Sequence, residues 1–88
     1  MSVETAEHRL KRLRMRSWRR GIKEMDLILG RYADNYLSKM SEGRLAEYDN
    51  LLSENDQDLY AWVTGTAQVP DHFAALIADI AEDAKQIS

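Results

Sequence analysis

The stretch best suited to binding chemistry is Trp18 to Glu24, where a glycine lies among charged side chains. Arg20 offers a planar guanidinium that can hold a carboxylate or a carbonyl group. Gly21 has no side chain, so another surface can approach its backbone closely. Glu24 can bind a cation or a backbone amide, and exposed Trp and Arg are typical of protein interfaces. These residues predict a protein-docking site, with a helix-ending glycine and an Arg20–Glu24 pair as the alternatives.

Residues that could perform catalysis are sparse. His8 and His72 have no second histidine three or four residues away, and the chain contains no cysteine. The four glycines are isolated, so there is no glycine-rich phosphate loop. The acidic stretch 54–58 lacks the length and terminal glutamate of a calcium loop, and it is typical of a solvated turn that caps a helix. We therefore expect no catalytic residues and no metal site.

Charge is divided unevenly along the 88 residues, although the formal net charge is only -3. Residues 1–24 hold eight bases and three acids, whereas residues 25–88 hold four bases and twelve acids. The basic segment, residues 9–23, can be a solvated helix face, a nucleic-acid-binding surface or a docking surface for an acidic protein. The acidic remainder argues against nucleic acid because it would repel a polyanion. Glu4 and Glu7 argue against a mitochondrial presequence, since such segments contain few acids.

The elements that must position these residues are helices, because no stretch shows the alternating pattern of a strand. Ser41 is a good N-cap, and the glycines at 21 and 65 separate helices. Short connections favour an all-α fold, a compact five-helix antiparallel bundle that forms one domain over residues 1–88 with its core at about 9–86. The predicted helices cover about residues 3–18 (from Val3), 22–40, 42–53, 57–64 and 70–86.

The helical periodicity also predicts which side chains are buried. In the second helix one apolar face contains Met25, Ile28, Leu29, Tyr32 and Tyr36. The fifth helix has the clean spacing of an amphipathic helix, from Phe73 to Ala84. In the fourth helix we expect Leu59 and Trp62 to belong to the core.

Two blocks of this sequence are similar to a known family. Arg20-Gly21-Ile22-Lys23-Glu24 matches the Arg-Gly-x-x-Glu signature of the SdhE family, the small flavinylation factors of succinate dehydrogenase. Asp56-Gln57-Asp58-Leu59-Tyr60-Ala61-Trp62 resembles the family's Asp-x-Asp-Leu-aromatic-x-Trp stretch, with Gln57 where Pro is usual. The resemblance covers about residues 9–82 in order, spacing and length.

The resemblance implies a five-helix bundle that is an assembly factor and not an enzyme. Members bind the flavoprotein subunit of succinate dehydrogenase, and in some bacteria fumarate reductase, and promote covalent attachment of FAD to a histidine of that subunit. We accordingly expect no FAD bound stably by this chain itself. The partner-binding residues that the resemblance implies are Arg20, Gly21 and Glu24, with Trp18, Lys23 and Asp26 beside them.

The remaining expectations concern partners and location. We expect a monomer with no bound nucleic acid and no membrane span. Because the sequence starts close to its first helix without a long leader, we expect a bacterial cytoplasmic protein. The alternative function is that of a small nucleic-acid-binding or antitoxin-like regulatory protein that uses the basic helix.

Overall fold

Helices and the turns between them make up the chain in a computed structural model that describes residues 4–87. The five helices are α1 (Ala6–Trp18), α2 (Lys23–Tyr36), α3 (Glu42–Leu51), α4 (Asp56–Thr64) and α5 (Ala74–Ala84). Short 3-10 turns cover Leu37–Lys39 after α2 and Asp71–Phe73 before α5. No strand occurs within the described residues, and the predicted all-α fold with five helices is confirmed.

Local capping explains several helix ends. The Thr5 side chain accepts a hydrogen bond from the His8 N–H at 3.1 Å and so caps α1 at Ala6. The predicted start of this helix at Val3 lies outside the described residues. Ser41 caps α3 by accepting from the Arg44 N–H at 3.1 Å, and Gly65 ends α4 with a positive φ of 81°, as predicted for both.

Two helix boundaries differ from the sequence prediction. Helix α2 stops at Tyr36 instead of reaching Met40, because its last turn tightens to 3-10 geometry over Leu37–Lys39. The regular part of α5 likewise begins at Ala74, since the residues that follow Pro70 form a 3-10 turn. Both changes lie at helix ends, where i to i+3 hydrogen bonds commonly replace i to i+4 bonds.

The core lies between the helices and confirms most of the predicted apolar faces. Leu59 is fully buried, whereas Trp62 is half-buried with its ring 5.9 Å from that of Phe73. The helical periodicity predicted that Tyr36 is buried, and this prediction is wrong because Tyr36 lies at the end of α2 and remains exposed. The buried apolar residues are Leu13, Met25, Leu29, Tyr32, Ala33, Leu37, Tyr48, Leu51, Leu52, Leu59, Phe73, Leu76, Ile77 and Ile80.

Helix α1 packs closely on α2 at Gly30. A Cβ atom at this position would collide with the indole ring of Trp18, so the glycine is required for the ring to lie against the α2 backbone. The Trp18 Nε1–H donates to Asp34 at 3.3 Å and fixes the ring further. The close approach therefore accounts for a glycine in the helix interior, where it costs about 1 kcal/mol relative to alanine.

A buried hydroxyl pair also joins the first three helices. The hydroxyl oxygens of Ser17 and Tyr48 lie 2.6 Å apart, and Ser17 donates to the Leu13 carbonyl at 2.7 Å. The Tyr48 hydroxyl reaches the Leu29 carbonyl at 3.3 Å. Burial raises the pKa of Tyr48 to about 12, because it disfavours the charged phenolate.

Candidate functional site

The turn between α1 and α2 is fastened to the rest of the bundle by Arg20. Its Nε donates to an Asp56 carboxylate oxygen at 2.7 Å, and the two side chains are only 10% and 15% exposed. The other guanidinium nitrogens donate to the carbonyls of Leu52 at 2.9 Å and Glu54 at 3.0 Å. Each guanidinium nitrogen thus has a partner, either the first residue of α4 or a carbonyl of the connection before it, which makes Arg20 an internal clamp.

Two carboxylates hold the backbone of the same turn. The second oxygen of Asp56 accepts from the Gly21 N–H, and Asp26 accepts from the Arg20 N–H. A Cβ at Gly21 would lie 3.0 Å from that Asp56 oxygen, which is tighter than ordinary van der Waals contact. Asp56 therefore joins the two sequence blocks, which lie far apart along the chain.

Glu24 has no such partner among residues 4–87. It lies exposed in the first turn of α2 beside Lys23, which is also exposed. Neither side chain takes part in an ion pair within residues 4–87. The alternative of an Arg20–Glu24 pair does not occur, because Arg20 pairs with Asp56. The Arg-Gly-x-x-Glu block thus consists of a buried clamp at its start and an exposed carboxylate at its end.

An apolar groove of about 380 Å³ opens beside Glu24, between α2, α4 and the C-terminal end of α5. Leu27 and Tyr60 line it and are 43% and 40% exposed, so two large apolar side chains are open to solvent in one concave surface. Val63 and Ala84 also line the groove. We refer to these four residues and Glu24 as the groove surface.

Of the groove surface, sequence reasoning predicted Glu24 as a binding residue and missed the four apolar residues beside it. Leu27 lies outside the predicted apolar face of α2. This position was the signal in the sequence that could have identified it as a contact residue. Tyr60 is the aromatic residue of the second block, whose neighbour Leu59 is buried. A large apolar residue that lies outside the buried face of its helix is a candidate for an intermolecular contact.

The basic segment, in contrast, is largely neutralised within the fold. Arg12 and Arg16 both bind Asp49, at 3.0 and 2.7 Å. Lys11, Arg19 and Lys23 have no ion-pair partner in the described part of the chain. The ion pairs that involve bases of this segment are Arg9–Glu42, Arg12–Glu4, Arg12–Asp49, Arg14–Asp34, Arg16–Asp49 and Arg20–Asp56.

These pairs alter the titration of the acids that they involve. Hydrogen bonds from Arg12 hold the pKa of Asp49 and of Glu4 below the usual range, since they favour the charged carboxylate. The uneven charge of the sequence therefore largely reflects attraction between α1 and the helices that cover it. Free positive charge for an external acidic partner is limited to a few side chains.

The site offers no arrangement suited to holding a metal ion. No cluster of three or more candidate ligands occurs between residues 4 and 87. His8 lies in the first turn of α1, and His72 lies in the 3-10 turn before α5. Over the same residues, every helix is too short or too polar to cross a lipid bilayer.

Comparison with known proteins gives consistent matches. Residues 11–84 match a family model described as flavinator of succinate dehydrogenase. A relative from Schizosaccharomyces japonicus is 49% identical over 82% of this chain and 50% of its own length. One from Scheffersomyces stipitis is 42% identical over 93% and 58%, and one from Saccharomyces cerevisiae is 45% identical over 81% and 46%. All three are named succinate dehydrogenase assembly factor 2, mitochondrial.

The comparison overturns the predicted bacterial cytoplasmic location. The relatives are named as mitochondrial proteins of eukaryotes, and the chain spans about half the length of these curated relatives. The prediction used the short stretch that precedes the first helix. Since the relatives extend well beyond the matched region, the start of this sequence carries no information about a leader.

Proposed function

The chain belongs to the flavinators of succinate dehydrogenase, the family that its two blocks resemble, and from this premise we propose that it is an assembly factor and not an enzyme. It binds the flavoprotein subunit of succinate dehydrogenase and promotes the covalent attachment of FAD to that subunit. It contributes no catalytic residue to the reaction and holds no FAD stably itself.

The observation that carries this proposal is the contrast between Arg20 and Glu24 in one short block. Asp56 binds both the Arg20 side chain and the Gly21 backbone, so the turn before α2 has a fixed conformation. Glu24 therefore follows a fixed turn, and its carboxylate has no ion-pair partner in the described part of the chain. A fixed backbone lowers the conformational entropy lost on docking, because the turn that carries Glu24 is already held in place.

Docking alone can promote the attachment of FAD. A partner that binds one arrangement of the flavoprotein more tightly raises the population of that arrangement. If the favoured arrangement holds the flavin and the receiving side chain close together, the bond forms faster because the reacting groups are oriented. The flavoprotein's own residues then perform the proton transfers, and the assembly factor needs only a well-formed surface.

The nucleic-acid alternative has weaker support. Binding to a polyanion depends on cations that can exchange their counterions for phosphates. Arg12 and Arg16 would first have to leave Asp49, and Arg20 would have to leave the partly buried Asp56. The paired state of these arginines therefore favours a structural role for the basic segment.

The proposal is tested in cells that lack their own flavinator and produce this chain. In-gel fluorescence of the flavoprotein subunit measures its covalent flavin. We expect the wild-type chain to restore the signal and Glu24→Gln to reduce it severalfold, because the exposed carboxylate is removed. Glu7→Gln, an exposed acid in α1, is the matched control and should behave as wild type. Failure of the wild-type chain to restore covalent flavin would overturn the proposed function.

A further inference from the structure

We propose that the groove between α2, α4 and α5 binds an apolar segment of the flavoprotein that also carries a basic side chain, which pairs with Glu24. This inference rests on the proposed function and adds the chemistry of the contact. It assigns the specific binding surface to the groove surface and not to the basic helix.

The apolar half of the inference comes from the walls of the groove. Leu27 from α2 and Tyr60 from α4 both line it with about two-fifths of their surface exposed. Val63 and Ala84 add further apolar surface, and the groove measures about 380 Å³. Exposed apolar area in a concave site gains free energy when a partner removes it from water. An apolar side chain of another protein is the occupant that matches these walls.

The basic half comes from the charges around the groove. Glu24 and Leu27 are three residues apart on α2, so they lie on the same face of the helix. The other charged residue that lines the groove, Lys85, is paired with Glu82 at 3.1 Å. Uncompensated charge at the groove is therefore negative and attracts a cation. Because Glu24 is exposed, its ion pair with the flavoprotein segment contributes little to affinity. It contributes more to specificity and to the rate of association.

A second copy of this chain fits the groove poorly. Among residues 4–87, Glu24 is the charged residue lining the groove that has no ion-pair partner, so the unpaired charge there is negative. Two such surfaces brought together would repel each other, since like charges across an interface oppose association. The charge of the groove therefore favours a partner of the opposite sign, and we assign that role to the flavoprotein segment.

The test is isothermal titration of the purified chain with the isolated flavoprotein subunit at several salt concentrations. Tyr60→Ser should weaken binding by about tenfold, because it removes a central aromatic contact. Tyr36→Ser is the matched control, since Tyr36 is the same residue type with the same 40% exposure at the far end of α2. It should bind like wild type. Circular dichroism of both variants checks that each remains folded.

Varying the salt concentration separates the ionic contribution to binding affinity from the apolar contribution. We expect wild-type affinity to fall as salt rises, because a charged pair at the rim is screened. Glu24→Gln should bind more weakly at low salt and show a flatter salt dependence. Tyr60→Ser should keep the wild-type salt dependence while losing affinity at every salt concentration.

The outcomes also separate this inference from the proposed function. If wild type binds and restores covalent flavin while Tyr60→Ser binds equally well, the groove inference is wrong and the proposed function stands. If wild type neither binds nor restores covalent flavin, both fail. If sedimentation shows a wild-type dimer that Tyr60→Ser dissociates, a second copy occupies the groove and the inference is overturned.

Discussion

Helix α1 and the groove surface differ in what their charged side chains contact. Arg12, Arg16 and Arg20 point to acids of the same chain, and their charges help to hold the bundle together. Glu24 has no ion-pair partner within residues 4–87 and lies beside exposed apolar side chains. The density of charge along a sequence therefore identifies a docking surface poorly. Charges that remain unpaired after folding, together with apolar side chains that remain exposed, identify it better.

The largest loss of stability is expected from a substitution of Arg20. Arg20→Ala removes the guanidinium partner of the partly buried Asp56 carboxylate and the hydrogen bonds to two carbonyls. We expect the free energy of unfolding to fall by about 2–4 kcal/mol, because hydrogen bonds made by a charged group contribute more than neutral ones. Urea denaturation measures this change. Arg19→Ala, at an exposed neighbour, is the control and should change stability by less than about 0.5 kcal/mol. Equal stability of the two variants would make Arg20 a docking residue instead of a clamp.

A smaller loss of stability is expected where α1 meets α2. Gly30→Ala places a methyl group in the space of the Trp18 ring, and such overpacking costs about 1–3 kcal/mol. Gly43→Ala is the matched control in α3, because a Cβ there meets no atom within 4 Å. It should stabilise the chain by up to about 1 kcal/mol. If Gly30→Ala also proved stabilising by thermal denaturation, Trp18 would be free to move and α1 less firmly attached.

The smallest effect on stability is expected from the ion pairs of α1, through the pH dependence of the melting temperature. Arg12 lowers the pKa of Asp49 in the folded state, so the carboxylate stabilises the fold fully above about pH 4. This contribution is lost as pH falls through the lowered pKa. Asp49→Asn should therefore show a flatter decline of melting temperature between about pH 5 and pH 3. The two proteins should differ in their free energy of unfolding by less than about 1 kcal/mol, because these side chains are partly exposed. Parallel curves for the two proteins would mean that the pair contributes nothing to stability.

Local sequence rules predicted much of the fold. The Ser41 cap and the left-handed Gly65 depend on residues within one helical turn, and both occur as predicted. The apolar faces were also predicted, because burial follows the helical period. The prediction that Tyr36 is buried was wrong, because periodicity does not show where a helix ends and Tyr36 is the last residue of α2. Helix ends depend on tertiary packing as well as on local propensity.

The candidate site was less predictable because its contacts are distant in sequence. The clamp between Arg20 and Asp56 joins residues 36 positions apart, and a linear reading placed Asp56 in a solvated turn. The internal pairing of the basic segment was missed for the same reason. Glu24 could be proposed from its block, but its freedom became visible only once the partner of Arg20 was known. The groove requires three helices to come together, and no single segment contains it.

Photo-crosslinking tests most directly whether the flavoprotein docks on the groove surface. A benzophenone amino acid is introduced at Tyr60 in one protein and at Met15 in another, where Met15 is a similarly exposed side chain of α1. Each protein is irradiated with the isolated flavoprotein subunit, and the crosslinked product is identified by mass spectrometry. The account predicts a crosslink to the flavoprotein from position 60 and none from position 15. A crosslink from position 15 alone would contradict it and place the docking surface on the basic helix.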